Sequence, residues 1–142
     1  MLSLFNRDIK ERLNFAIKYK LFSIIENLNV SSARSLSFIF FECTDIKTLN
    51  LSKWNVSNVE DMNNAFAYCD KLESLDISKW NMSHVKDISS IFSECQNLTK
   101  LDISKWNVSN VKDMYGMFAF CYKIEKLNLS NWNVSNVIYI YE

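Results

Sequence analysis

Tryptophan recurs along this chain at a constant interval of 26 residues, and two other residue types keep the same interval. The tryptophans are Trp54, Trp80, Trp106 and Trp132, the cysteines are Cys43, Cys69, Cys95 and Cys121, and the phenylalanines are Phe40, Phe66, Phe92 and Phe118. Three series with one period define a tandem repeat, and a period of roughly 20–50 residues is typical of stacked solenoids. We therefore expect these residues to form three continuous columns inside a stack of copies.

The array is predicted to span residues 36–142, in four units at 38–63, 64–89, 90–115 and 116–141. Apolar and polar residues alternate at 49–52, 75–78, 101–104 and 127–130, which predicts one short parallel strand per unit. In the second unit Leu75 and Ile77 would face the core, and Asp76 and Ser78 would face outward. The spacing from Met62 to Cys69 predicts one helical turn. The predicted fold class is thus an α/β repeat solenoid with short parallel strands.

Residues 1–35 lie outside this register and are predicted to form a helical cap over the open end of the core. Their apolar residues recur at steps of three and four, as on one face of a helix: Ile9, Leu13, Ala16, Ile17, Leu21, Ile24, Ile25 and Leu28. Asn6 is the expected N-cap, with Asp8 in the first turn. The alternative is a helix that lies on a membrane surface through its basic residues, although three acidic residues oppose it.

Turns must form almost without glycine or proline, because the chain contains one glycine and no proline. Asparagine can replace them, since its side chain bonds nearby backbone and tolerates left-handed angles. The asparagine after each repeat tryptophan is therefore predicted to form a turn; these are Asn55, Asn81, Asn107 and Asn133.

The charge balance argues against a nucleic-acid partner. The chain has 16 basic and 16 acidic residues, and the excess of three basic residues in 1–35 is too small for a phosphate-binding stripe. No apolar run reaches the roughly 18 residues of a membrane span. Residues 1–12 lack the basic, apolar and small-residue order of a secretion signal. We therefore expect no transmembrane segment, and the sequence itself leaves the location open.

The repeat pattern L-x-x-L-D/N-I/L-S-x-W-N-V-S-N-V-x-D-M, with A/I/M-F-x-x-C, covers about residues 36–137. It resembles the leucine-rich-repeat variant of the BspA-like bacterial surface proteins, a family that includes the repeat of mycoplasma lipoproteins. The resemblance implies a leucine-rich-repeat solenoid, a cell-surface or secreted location, and adhesion to host proteins or other cells. It carries no catalytic residues over. A cytoplasmic location is the alternative.

No residue stands out as catalytic or as the ligand of a cofactor. The cysteines occur singly rather than as the close pairs of zinc sites, so buried reduced thiols are expected, with disulfides between copies or a metal as alternatives. His84 replaces the asparagine of other copies without a placed nucleophile, which argues against an enzyme. Asp61, Asp87 and Asp113 form an oxygen-rich row, but bonding to turn backbone is expected rather than calcium.

The outward strand positions are the candidate binding site for a protein or other macromolecule: Asn50, Ser52, Asp76, Ser78, Asp102, Ser104, Asn128 and Ser130. The expected function is non-catalytic protein binding in surface adhesion. An intracellular adaptor and a structural element or fragment of a longer array are the alternatives. Residues 137–141 are apolar and strand-prone, which predicts self-association through an unpaired edge.

Overall fold

Successive copies of the repeat contribute neighbouring strands to one parallel sheet. In the computed structural model, which describes residues 9, 11 and 13–140, the strands are β1 (Thr48–Asn50), β2 (Ser74–Asp76) and β3 (Lys100–Leu101), in the order β1-β2-β3. Leu49 pairs with Leu75, and Leu75 pairs with Leu101. Each copy therefore lies on the next at an offset of one repeat.

The strands begin one residue earlier than predicted and end before the serines that were expected at their outer ends. Ser52 lies in a turn because its backbone N–H bonds the Asn50 side chain at 3.0 Å instead of continuing the ladder. Within the described part of the chain, no strand is assigned at 127–130. The predicted inward positions are correct, since Leu75 and Ile77 are buried.

A second ladder joins the copies on the side away from the sheet. Asp61, Asp87 and Asp113 pair in parallel with one another, and the Phe66 N–H bonds the Ile91 carbonyl oxygen at 2.9 Å. The predicted helical turn from Met62 to Cys69 is wrong. The chain makes overlapping turns there, because the residues at 64 and 68 have positive φ, and left-handed residues interrupt a right-handed helix.

The three predicted columns are confirmed. Consecutive tryptophan rings stack with centroids 6.3–6.4 Å apart, and consecutive phenylalanine rings stack at 5.2–5.8 Å. The thiol of Cys69 donates to the carbonyl oxygen of Phe40 at 3.1 Å, one copy earlier, and Cys95 and Cys121 repeat this bond. The columns are buried in the middle of the stack and partly exposed at Trp132, Phe118 and Cys121.

Two helical segments precede the sheet instead of one continuous helix. Helical backbone (α1) includes Ile9, Glu11 and residues 13–18, and α2 spans Phe22–Glu26. Lys20 separates them with φ of 54°. Leu13 and Ile25 are buried as the apolar pattern predicts, but Ile24 is 46% exposed. The predicted N-cap at Asn6 and first-turn Asp8 lie outside the described residues.

The one-copy register reaches further back than the sequence analysis placed it. The carbonyl oxygen of Ile25 accepts bonds from Leu28 N at 3.1 Å and from Trp54 Nε1 at 2.9 Å, as the equivalent Leu51 accepts from Trp54 and Trp80. The turn at 29–31 copies the one at 55–57. Leu28 stands in the tryptophan position and hides this register in the sequence. The division into a cap and four units remains a prediction.

Candidate interaction surface

The eight candidate residues form four equivalent side-chain pairs along one side of the stack. Asn50 Oδ1 accepts bonds from Ser52 N at 3.0 Å and from Ser52 Oγ at 2.7 Å. The same two bonds hold the pairs Asp76–Ser78, Asp102–Ser104 and Asn128–Ser130. We call this set the strand-end row. Each pair closes the turn after its strand, so the candidate residues also have a structural role.

The strand-end row combines exposed and half-buried groups. Asn50, Asp102, Asn128 and Ser130 are exposed, and the other four residues are half-buried. The bonds from the Ser104 side chain and backbone lower the pKa of Asp102 because they stabilise the carboxylate. One oxygen of each Asp or Asn holds the turn. The second carboxylate oxygen of Asp76 and of Asp102 has no bond to the described residues, so these oxygens are the ones available to a partner.

A row of lysines accompanies the strand-end row, one position beyond each serine. Lys53, Lys79 and Lys105 are exposed, and Lys53 Nζ donates to Asn27 Oδ1 at 3.2 Å. Cations next to carboxylates and amides give this side of the stack alternating charge. Such a surface suits polar recognition of a protein better than attraction of one highly charged ligand.

The asparagines after the tryptophans form turns as predicted. Asn55 Oδ1 accepts from Ser57 N at 3.1 Å, and Asn81, Asn107 and Asn133 repeat the bond. Three residues on, Asn110 Nδ2 donates to the carbonyl oxygen of Ser83 at 2.7 Å, which ties neighbouring copies together. His84 occupies this last position in its own copy and is exposed. Its placement is that of a turn residue.

The sequence analysis missed an ion-pair row on the opposite side of the turns. Glu60 contacts Arg34 at 2.9 Å and Lys86 at 2.6 Å, so three consecutive copies carry alternating charge at one position. Lys86 is the main cause of the lowered pKa of Glu60, and Arg34 adds to it. Comparing equivalent positions of successive copies, rather than neighbours along the chain, would have revealed this row.

The cysteine column holds free thiols that differ in their surroundings. Burial raises the pKa of Cys121 to about 11 and raises that of Cys95 further. The hydrogen bond between Cys43 and Cys69 lowers the pKa of Cys43 and raises that of Cys69. Across the part of the chain that the structure describes, no group of three or more His, Cys, Asp or Glu side chains is arranged to hold a metal ion.

The carboxylate row on the second ladder bonds turn backbone, as expected. Asp87 Oδ1 accepts from Ser89 N at 2.8 Å and from Ser89 Oγ at 2.6 Å, and Asp113 Oδ1 accepts from Tyr115 N at 2.9 Å. Asp61 Oδ1 likewise accepts from Asn63 N at 3.0 Å. These carboxylates therefore shape the turns.

The C-terminal end of the stack is apolar and open. A cavity of about 640 Å³ there is lined by residues that include Met117, Phe118, Leu129, Trp132, Val134 and Ile140. The predicted edge segment is exposed at Ile138, Tyr139 and Ile140, while Tyr141 lies outside the described residues. One side of the segment is bonded, because Met114 N donates to the Tyr139 carbonyl oxygen at 3.0 Å.

These features define a protein of stacked sequence repeats. A family model matches residues 7–75 and again 64–142, and the chain belongs to that family, described as "Mycoplasma protein of unknown function, DUF285". Comparison with curated proteins and with solved structures found no match. None of the helices in the described residues has the length and apolar character needed to cross a membrane.

Proposed function

We propose that the chain is a non-catalytic protein-binding module, built as a BspA-like leucine-rich-repeat solenoid and used in adhesion at the cell surface. The observation that carries the proposal is the strand-end row, which repeats one polar arrangement in four successive copies. Membership of the mycoplasma repeat family and the repeat pattern itself support the solenoid.

The spacing of the row explains why a macromolecule is the expected partner. Neighbouring parallel strands lie about 4.8 Å apart, so equivalent side chains recur at that step over the length of the stack. An extended polypeptide can contact several copies at once, and many weak contacts then add together. Asp76, Asp102 and the accompanying lysines supply charge that orients such a partner.

Binding is tested with variants that remove charge and keep the turns. Asn50 and Asn128 hold the same two bonds as the aspartates. The double variant Asp76→Asn/Asp102→Asn should therefore fold normally. Asp87→Asn is the matched control, because it removes a carboxylate from the other ladder and keeps the bonded Oδ1.

The probes are purified fibronectin and fibrinogen, immobilised and titrated with the chain by surface plasmon resonance. We expect saturable binding to at least one probe, a loss of roughly tenfold or more for the double variant, and little change for the control. Equal binding by all three proteins would assign recognition to another face. No binding to either probe would contradict the adhesive role. Labelling of intact cells with an antibody distinguishes surface display from an intracellular adaptor.

A structural or assembly role is the second candidate, and the exposed segment at 138–140 favours it. An uncovered apolar edge can pair with another chain. Light scattering over a concentration series separates the two roles, since assembly requires a mass that rises with concentration and the binding module alone does not.

A further inference from the structure

The C-terminal end leaves uncovered the same positions that every earlier copy buries. Val134 is 43% exposed, whereas the equivalent Val56, Met82 and Val108 are at most 1% exposed. Leu129 is 38% exposed, whereas Leu51, Ile77 and Ile103 are also at most 1%. The lining of the 640 Å³ cavity is thus the face that one copy offers to the next, with its cover missing from the described residues.

Two carbonyl oxygens on this face have one bond where their equivalents have two. Leu51, Ile77 and the preceding Ile25 each accept a bond from a backbone N–H of their own copy and from the next tryptophan Nε1. In the described part of the chain, Leu129 O accepts only from Trp132 N. Phe118 O likewise accepts from Cys121 N, but has no thiol like those that bond Phe40, Phe66 and Phe92.

Backbone donors complete the pattern. Phe92 N donates to Met117 O at 3.1 Å, and Glu94 N donates to Ala119 O at 2.8 Å, both in the following copy. Their equivalents, Phe118 and Phe120, have no such acceptor among the described residues. The face therefore offers two N–H donors, two carbonyl acceptors and exposed ring faces in fixed positions.

We propose that the C-terminal end is a docking surface for a partner polypeptide that carries a further copy of this 26-residue repeat. Only a chain with an indole N–H, a thiol and backbone carbonyls at the repeat spacing satisfies all of these groups together. A small apolar ligand would fill the cavity and leave the polar groups unbonded, which is costly once water is excluded. The surface is continuous with the stacking interface between copies and does not depend on the strand-end row.

The test uses the full chain and a fluorescein-labelled peptide with the sequence of residues 90–115. Fluorescence anisotropy should show saturable binding, and hydrogen exchange should show protection of the Phe118 and Phe120 amides. Val134→Lys places a charge in the docking face and should weaken binding at least tenfold. Ile24→Lys is the matched control, because Ile24 is similarly exposed, at 46%, but lies in α2, and it should bind like the unchanged chain.

A second arm joins residues 91–115 after Glu142 in register. Protection of Phe118 and Phe120 in this extended chain, with loss of peptide binding, would support the assignment of the surface. Protection by the joined copy without binding of the separate peptide would overturn the proposal of a partner polypeptide. Binding that is equal in Val134→Lys and Ile24→Lys would also overturn it. So would a dimer of the unextended chain that Val134→Lys abolishes without any peptide binding, because the occupant would then be a second copy of the whole chain.

Discussion

The indole Nε1 of Trp80 donates a hydrogen bond of 2.9 Å to the carbonyl oxygen of Leu51, one copy earlier in the stack. The same oxygen accepts the backbone N–H of Trp54 at 2.9 Å. The Trp80 ring also stacks on Trp54 with centroids 6.4 Å apart. The repeat tryptophan therefore buries a large ring and satisfies its only polar group through one contact between copies, which phenylalanine could not do.

Replacing Trp80 with phenylalanine should reduce the free energy of unfolding by about 1–3 kcal/mol, because a buried hydrogen bond and part of the ring volume are lost. Chemical denaturation monitored by far-UV circular dichroism measures the change. Trp132→Phe is the control and should cost less, since Trp132 is only partly buried at the end of the stack. Equal costs at the two sites would contradict this account of the tryptophan column.

The single glycine occupies a position where every copy has positive φ. Gly116 has φ of 59°, and the equivalent Phe38, Asn64 and Ser90 have φ of 52–57°. Gly116→Ala should destabilise the protein by about 1 kcal/mol, because a left-handed alanine is strained and its Cβ would lie 3.3 Å from Ser90 Oγ. Ser90→Gly should stabilise by a similar amount. Denaturation midpoints that move in the same direction for both variants would contradict the prediction.

Stability should fall at alkaline pH because of the cysteine column. Burial holds the pKa of Cys121 at about 11 in the folded state, above its ordinary value of 9.0, and raises that of Cys95 further. The unfolded thiols ionise first as the pH rises through 9, and this favours unfolding. The free energy of unfolding should therefore be constant below pH 8 and decline from pH 9 through 11.

Cys121→Ala tests the source of that decline. The variant lacks one of the thiols, so its stability should fall less between pH 9 and 11 than that of the unchanged chain. Denaturation in reducing buffer at each pH supplies the comparison. An identical decline in both proteins would assign the alkaline sensitivity to other groups.

The ion pairs of Glu60 should stabilise the protein only in low salt and above acid pH. Lys86 and Arg34 lower the pKa of Glu60, so its contribution is present above the ordinary value of 4.5 and is lost as the pH falls through the folded-state value. Glu60→Gln should lower the melting temperature slightly at pH 7. The difference from the unchanged chain should vanish at pH 3 or in 1 M salt. A difference that persists in both conditions would mean that Glu60 acts through packing.

The interval of 26 residues was sufficient to predict the columns, because identical residues at one spacing can share an environment only if the copies stack. It also predicted the inward positions Leu75 and Ile77. Local conformation was less predictable. The turns at 62–69 depend on positive φ at Asn64 and Tyr68, which are not glycine, so the apolar spacing there imitated a helix.

The strand ends and the start of the register were misjudged for a different reason. Ser52 had the alternation of a strand residue, but its N–H bonds the Asn50 side chain. Leu28 replaces tryptophan, so the earliest turn in register went unrecognised. The eight candidate residues do lie together in one row, but the sequence did not indicate that each pair also closes a turn. Binding by this row remains a prediction.

The central claim is that consecutive copies lie on one another at a one-repeat offset, and indole-to-indole NOEs test it most directly. In a protein with labelled tryptophan, each indole should show NOEs only to the indoles 26 residues before and after it, and the Nε1–H of Trp80 and Trp106 should exchange slowly with solvent. Indoles without mutual NOEs, or with Nε1–H groups that exchange as fast as in the unfolded chain, would contradict the stacked arrangement.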